Sequence, residues 1–442
     1  MNPNNKLDAI VIIGVSLSSC LPNLVKECNE RGLAVVLVSE NRYTPDMANY
    51  HEFIHLYQER TNMADILFEE KSLTEGKILQ IIQKIRETCH IKAIIASVET
   101  YVEITAKINA VLGLQGPGAK AAFVSRNKIL QRMLLEQHGF HTPDYMVTDS
   151  EADVSDFIDK HKTAVIKLHN RSASFGVKKV SSREELSAYL EEFDGQTYLI
   201  EQYIKGREVS VECIVQDQQI YLFNITSKGK GEEPYFVETM QLVPAGIENR
   251  VSRQLYQLAK DLIEINEMCT GILHLEVMIE DSTEKLYTVE YAVREPGHNI
   301  LDLINWRFNE SALGLYMDAM LGSRIDYSLE EKKERMAVTA YVDFPEGEIV
   351  EILQRRSLLE IEGVKEFDFF GKPGDTVKRA ESNYDPIAAI IIFAENEDEL
   401  RATLDEIDDA FTVKIQTASG LVNATLTEKI RQEVAVNSTV KN

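Results

Sequence analysis

The first hundred residues alternate between short apolar runs rich in β-branched residues and stretches with helical spacing, and this alternation restricts the fold more than any other feature. AIVIIGV (9–15), LAVVLVS (33–39) and IKAIIAS (91–97) read as strands. CLPNLVKECNERG (20–32) and ETYVEITAKINAVLG (99–113) carry apolar residues at helical intervals. Strands joined through helices run parallel, so a layered βαβ unit is expected. Gly14 closes the first strand and Gly32 the first helix, but GVSLSS (14–19) lacks the second and third glycines of a dinucleotide-binding turn. NAD is therefore not the expected ligand.

At 442 residues the chain is too long for one hydrophobic core. Four units are expected, at 1–122, 123–204, 205–322 and 323–442. A Gly-Pro-Gly turn at 116–118 precedes a helix that holds Ser125 to Lys128 and runs to Gly139. TAVIKL (163–168) and TYLIEQYI (197–204) then frame the loop HNRSASFGV (169–177) and a helix at 182–193, a small α+β module. EVSVECIVQDQQIYLFNIT (208–226) reads as an antiparallel pair turning at Asp217 to Gln219, followed by a helix over about 249–269. Beyond Leu321, MAVTAYVDF, GVKEFDFF and IAAIIIFAE precede the helix NEDELRATLDEIDDAF, whose acids suit a solvated face. The tail after Leu421 is polar and expected to fray.

Acidic residues outnumber basic ones 71 to 47, for a net charge of -24, and no basic block interrupts the chain. A nucleic-acid partner is not expected. The five cysteines are scattered, without C-x-x-C spacing, which argues against a disulfide framework or a zinc site. No apolar stretch nears 18 residues and the N-terminus lacks a cleavage pattern, so the cytoplasm is the expected compartment, with no membrane partner.

The chemistry concentrates in GILHLEVMIEDSTEKLYTVEYAVREPGH (271–298), two apolar arms joined by a polar turn and carrying Glu276 and Glu290. Alternation within the arms lets both carboxylates share one face and point at one cation. Hard oxygen donors of this kind suit Mg²⁺, which binds through one or two carboxylates together with substrate phosphates. Arg294 adds a planar fork for a phosphate or carboxylate. The plainer alternative is a surface ribbon with solvated acids. Upstream, Lys167 ends an apolar strand and Lys128 begins a helix, each able to reach a phosphate. The loop with Ser172, Ser174 and Gly176 offers backbone N–H groups for closing over phosphate oxygens, or is a plain turn. The segment Glu201, Gln202, Tyr203, Ile204 forms a hinge whose backbone can read adenine, and Glu208 can accept ribose hydroxyl protons.

In this order, Asn127-Lys128, Ile166-Lys167, SASFGV, IEQYIKGREVSVE, GILHLEV and VEYAVREPGH resemble the ATP-grasp superfamily, nearest to carboxylate-amine ligases of the L-amino-acid (dipeptide) type. Similarity to D-alanine:D-alanine ligase and biotin carboxylase is more distant. The resemblance implies an α/β and α+β multi-domain chain: an ATP-grasp fold with an N-terminal Rossmann-like domain, and a C-terminal lid-like subdomain around EGVKEFDFFGKPGDTV. It implies ATP and Mg²⁺ as cofactors, with Mn²⁺ able to substitute. Lys128 and Lys167 would meet the nucleotide phosphates, Glu201 to Ile204 the adenine and Glu208 the ribose. Glu276 and Glu290 would ligate the metal, and Arg294 would hold the acyl-phosphate. His274 and Gly297 would lie at the substrate, and Pro234 to Glu238 would border the amino-acid pocket. A homodimer acting on small-molecule acid and amine substrates, amino acids above all, is the implied assembly.

One position departs from the family. Ala292 stands where a further Asn metal ligand is usual, so water, Asn299 or Glu295 is expected to replace it. The implied reaction activates a carboxylate as its acyl-phosphate, which an amine then attacks to give an amide, ADP and phosphate. For His274 two roles stay open, as general base or as anchor of a substrate carboxylate. Two rival functions also stay open: a carboxylase of the same superfamily, and a nucleotide-binding regulatory protein without turnover. Tyr235, Phe236, Met240, Trp306 and Arg307 are candidates for the pocket lining, Arg307 as partner of an acidic substrate.

Overall fold

A computed structural model describes every residue except 1–5, 16–19, 42–49, 170–175, 194, 232, 309–310, 327–329, 343, 382–386 and 441–442. The expected parallel unit is present. β1 (Leu7–Ile13), β2 (Ala34–Glu40), β3 (Ile66–Glu70) and β4 (Cys89–Ala96) form a parallel sheet in the order β3-β2-β1-β4. The short strand ILFEE of β3 is additional to the strands read from the sequence. Gly14 is required where β1 ends: its φ is +87°, and a Cβ there would lie 2.7 Å from the Val98 side chain. That close approach brings the segment after β4, with Ser97 and Glu99, against the end of β1.

The anticipated single helix before Gly139 is instead two, Ala119–Ser125 and Lys128–Gln137. The break falls at Asn127, whose backbone is extended and whose side-chain Oδ1 accepts the amides of Ile129 and Leu130 and so starts a new helix. β5 (Tyr145–Thr148), β6 (Ala164–Leu168), β7 (Val177–Val180) and β8 (Tyr198–Gln202) make a separate antiparallel sheet ordered β5-β8-β6-β7. Helices Glu151–His161 and Arg183–Glu192 cover it through Val154, Phe157, Leu186 and Tyr189.

The largest sheet collects β9 (Gly206–Gln216), β10 (Gln219–Lys230), β11 (Glu238–Val243), β12 (Gly271–Glu280), β13 (Leu286–Ala292) and β14 (Met336–Val342). After these come β15 (Gly347–Gln354), β16 (Val364–Phe369), β17 (Thr376–Val377), β18 (Ala388–Ala394), β19 (Phe411–Thr417) and β20 (Gly420–Ala424). Its eight strands run β13-β12-β9-β10-β11-β14-β18-β16, so the sheet continues without interruption past residue 322. β15, β17, β19 and β20 form a fourth sheet ordered β17-β15-β19-β20. The β9–β10 turn lies where the sequence placed it: Asp217 and Gln218 have φ of 50° and 64°, the left-handed pair of a two-residue hairpin.

The tail does not fray. β20 pairs with β19, and the helix Glu428–Val440 buries Ile430 and Val434. Arg207 at the start of β9 binds Asn437, and also Glu433 at 3.3 Å. Composition suggested a loose end, whereas two apolar contacts and a guanidinium from a distant strand hold it. Among the described residues no helix is long and apolar enough to cross a membrane.

Candidate active site

Glu276 and Glu290 are Cα partners across β12 and β13, and directly opposed residues of an antiparallel pair project from the same face. On the other side of β12, Glu276 stands opposite Ser210 and His274 opposite Glu212. The alternate residues Leu275, Val277 and Tyr291 enter the core. The sequence expectation of two carboxylates on one face therefore matches the register, and both glutamates are half-buried rather than fully solvated.

Lys228 is the hub of the charge pattern. It lies on β10, is 5% exposed, and binds Glu276, with Glu238 at 3.3 Å and Glu208 at 3.5 Å. Lys230 also binds Glu208. Burial alone pulls the Lys228 ammonium down, but Glu238, Glu276 and Glu208 together lift it well above the ordinary lysine range. Glu276 is held at about 2: burial opposes its charge, and Lys228 and His274 more than offset that. Sequence reasoning missed Lys228. The available signal was the alternation of Asn224, Thr226, Lys228 and Lys230 along β10, which resembles a solvent-facing edge.

The second carboxylate has its own lysine. Lys128 reaches Glu290 at 2.6 Å from the first turn of its helix. That helix is fixed to edge strand β13 by Gln131, whose amide both donates to and accepts from the Tyr291 backbone at 3.0 Å, and by Arg132 donating to the Val289 carbonyl at 2.6 Å. Glu99, from the N-terminal unit, gathers Arg126 at 2.6 Å and Arg294 at 2.9 Å. Arg294 also donates to the Glu295 carbonyl at 2.6 Å, while its Nε is buried without a partner.

Lys167 and Glu201 form a buried pair at 2.5 Å, with Arg132 on the other carboxylate oxygen. Burial works against the Glu201 charge, yet Arg132 and Lys167 hold it at about 2, while burial and Arg132 lower Lys167 despite Glu201. The Glu201 carboxylate thus serves as a counter-ion, and the hinge expectation rests on the backbone of 202–204, which joins β8 to β9. There the Gln202 amide is taken by the Asp144 carbonyl at 2.8 Å. Ser172 and Ser174 lie outside the described residues. Gly176, with φ +68°, leads into β7.

His274 donates Nδ1–H to Glu212 at 3.0 Å and sets Nε2 against Glu276 at 3.4 Å. Burial lowers its pKa, but those two carboxylates more than offset it and raise it to about 9. At neutral pH it is an imidazolium, which suits an anchor for an anion rather than a proton acceptor. Its Cα partner on β13 is Ala292, so the methyl lies beside the imidazole. Glu238 accepts from Gln241 at 2.6 Å and meets His298 at 3.1 Å, and the His298 ring packs on Tyr341 at 4.6 Å. Gly297 accepts the Ile300 amide at 3.3 Å, ahead of the helix Ile300–Arg307. Lys179 on β7 binds Glu233 at 2.5 Å and Tyr235 donates to Glu381 at 3.0 Å, so this segment spans from the small sheet to the connection between β17 and β18.

Residues 160–301 match the ATP-grasp domain, and residues 340–416 match the L-amino acid ligase C-terminal domain 2. An L-amino acid ligase from Bacillus licheniformis superposes with a TM-score of 0.73 at 18% identity, covering 93% of this chain and 100% of that one. The chain has an ATP-grasp fold.

The biotin carboxylase domain of a Hydrogenobacter thermophilus 2-oxoglutarate carboxylase, solved with MgADP and bicarbonate, superposes with this ATP-grasp chain at a TM-score of 0.65 and 12% identity, covering 98% and 94%. A D-alanine–D-alanine ligase from Clostridium novyi (strain NT) is 26% identical over 196 residues, 40% of this chain and 55% of that protein. The ATP-grasp chain thus spans about half the length of that curated relative. The matched domain begins just before β6 and ends within the helix that follows Gly297, so it contains Lys167, Lys228, both hairpin glutamates and Arg294.

Proposed function

We propose that the chain is an ATP-dependent carboxylate-amine ligase that forms an amide or peptide bond through an acyl-phosphate, joining an amino-acid carboxylate to an amino acid or other amine. The observation that carries this reading is the pairing of Glu276 with Glu290 on one face, each balanced by a lysine from a different element. Such a surface holds both the carboxylates a metal needs and the ammonium groups a triphosphate needs.

Mg²⁺ fits this donor set. Among the described residues no three or more acidic, His or Cys side chains converge as a complete metal cage, which agrees with an ion held by two carboxylates and completed by phosphates. When bound, the metal would neutralise the phosphate charge that otherwise repels an incoming carboxylate. In this reading Lys128, Lys167 and Lys228 turn from their carboxylate partners toward phosphate oxygens. Gln202, Tyr203 and Ile204 supply the adenine hinge, and Glu208 the ribose contact. The His274 imidazolium and Arg294 hold the substrate carboxylate in line, and Arg294 then stabilises the oxyanion as the amine attacks. Oriented donors of this kind are typically worth roughly 3 kcal/mol each. Gly297 and Glu238 border the substrates, and Gly176 with Ser172 and Ser174 belongs to the closing flap. A homodimer completes the proposal, tested by light scattering.

The test is release of ADP and phosphate from ATP, with single and paired amino acids and with bicarbonate. The ligase reading requires release that depends on an amino-acid pair and a new amide in the products. Bicarbonate-dependent release without an amino acid would contradict it, as would ATP binding with no release under any mixture.

A further inference from the structure

The sheet face that carries Glu276 and Lys228 continues across β11, β14 and β18 to β16. Gln241 and Thr339 are buried Cα partners there, and Gln241 Oε1 and Thr339 Oγ1 have no hydrogen-bond partner. Thr339 and Tyr341 pair with Ile391 and Ala389, which in turn stand opposite Glu366 and Asp368, so these two acids share the face. Above it lie Glu295 and, on the helix Ile300–Arg307, Asp302. Glu295 is 2% exposed; its Oε1 accepts from Ser97 at 3.1 Å, and its Oε2 is buried with no partner. Asp302 accepts from Asn23 at 2.6 Å, and the buried Cys20 thiol lies within the field of both acids.

Gln241 Oε1 can only accept, as can Glu295 Oε2 when ionised, Thr339 Oγ1 can accept or donate, and among the described residues the unsatisfied donor beside them is the Arg294 Nε. Burial raises the Glu295 carboxyl to about 7 and that of Asp302 to about 6, and it also raises Glu366 and Asp368. Arg294 near Glu295 and Arg60 near the other three offset this only in part. Arg307, the residue suited to an acidic substrate, is already used: it binds Glu331 at 2.8 Å and donates to the carbonyls of Lys333 and Arg335 at 3.4 Å. An apolar side chain would leave Glu295 Oε2 without a donor, a neutral polar one would donate without offsetting the charge of the four acids, and an acidic one would add like charge to a buried acidic group.

We infer that this end of the site receives a protonated nitrogen of the substrate, so that one of the joined molecules is a basic amino acid whose charged side chain lies against Glu295 and Asp302. The inference deepens the ligase reading and rests on it. It is tested by calorimetric titration of the full chain, with Mg²⁺ and ADP present, using L-lysine, L-alanine and L-glutamate, while ADP release is followed in the same preparation. L-Lysine should bind about tenfold or more tighter than L-alanine, with L-glutamate weakest. Glu295→Gln and Asp302→Asn should each shrink the lysine-to-alanine ratio by about tenfold. No lysine binding, equal or tighter binding of alanine or glutamate, or a ratio unchanged in both variants would overturn the inference. Should a variant fail to fold, the wild-type ratio alone decides. Absence of ADP release with any pair would count against the ligase reading, whatever the titration shows.

Discussion

Glu276 and Glu290 face each other across β12 and β13, and each closes on a lysine brought from elsewhere in the chain: Lys228 from β10 and Lys128 from the helix capped by Asn127. The arrangement balances charge on a half-buried face, and it sets the cost of removing either kind of partner.

Lys228→Met leaves Glu208, Glu238 and Glu276 sharing too little positive charge. Breaking a buried ion pair from one side costs about 3–5 kcal/mol, and urea denaturation should report a loss of that size. A change below about 1 kcal/mol would mean that the cluster relaxes or protonates without strain.

Removing the carboxylates should act on the proposed metal instead. Glu276→Gln and Glu290→Gln should each weaken Mn²⁺ binding by about tenfold or more, read by electron paramagnetic resonance with ADP present. Equal affinity in both variants would place the metal elsewhere.

The pH dependence of His274 has a definite sign. Its pKa is raised from 6.5 to about 9, so its contribution to stability is complete below pH 6.5 and is lost as pH rises through about 9. The stability difference between wild type and His274→Asn should therefore shrink over that window. An NMR titration should give a His274 pKa well above 6.5, falling in Glu212→Gln; an unchanged value in that variant would remove Glu212 as a cause.

The C-terminal helix should be integral to the fold of the eight-stranded sheet. Ile430→Ala deletes a side chain that is 1% exposed, with an expected cost of about 2–5 kcal/mol by denaturation. Early proteolytic release of residues after 427 from the wild type would show that Arg207 does not hold the helix.

What the sequence disclosed was whatever its local periodicity encodes. Alternation in the arms of 271–292 is enough to put Glu276 and Glu290 on one face, because side chains on a strand repeat every two residues. Apolar runs likewise marked β1, β2 and β4. Long-range burial left no such trace. Lys228 sits on a strand whose polar alternation resembles a wet edge, and only the tertiary covering makes it the hub of three carboxylates. The final helix has little apolar content, and its anchor at Arg207 lies some 226 residues away from Glu433. Asn127 was visible as a residue, but its role as a cap depends on an extended backbone that residue type alone does not fix.

The central claim is transfer of phosphate to a substrate carboxylate, and an isotope measurement tests it most directly. With ¹⁸O in the carboxylate of the acid substrate, ³¹P NMR should show one ¹⁸O in the released phosphate, formed together with ADP and the amide. Unlabelled phosphate, or AMP and pyrophosphate in place of ADP and phosphate, would contradict the account.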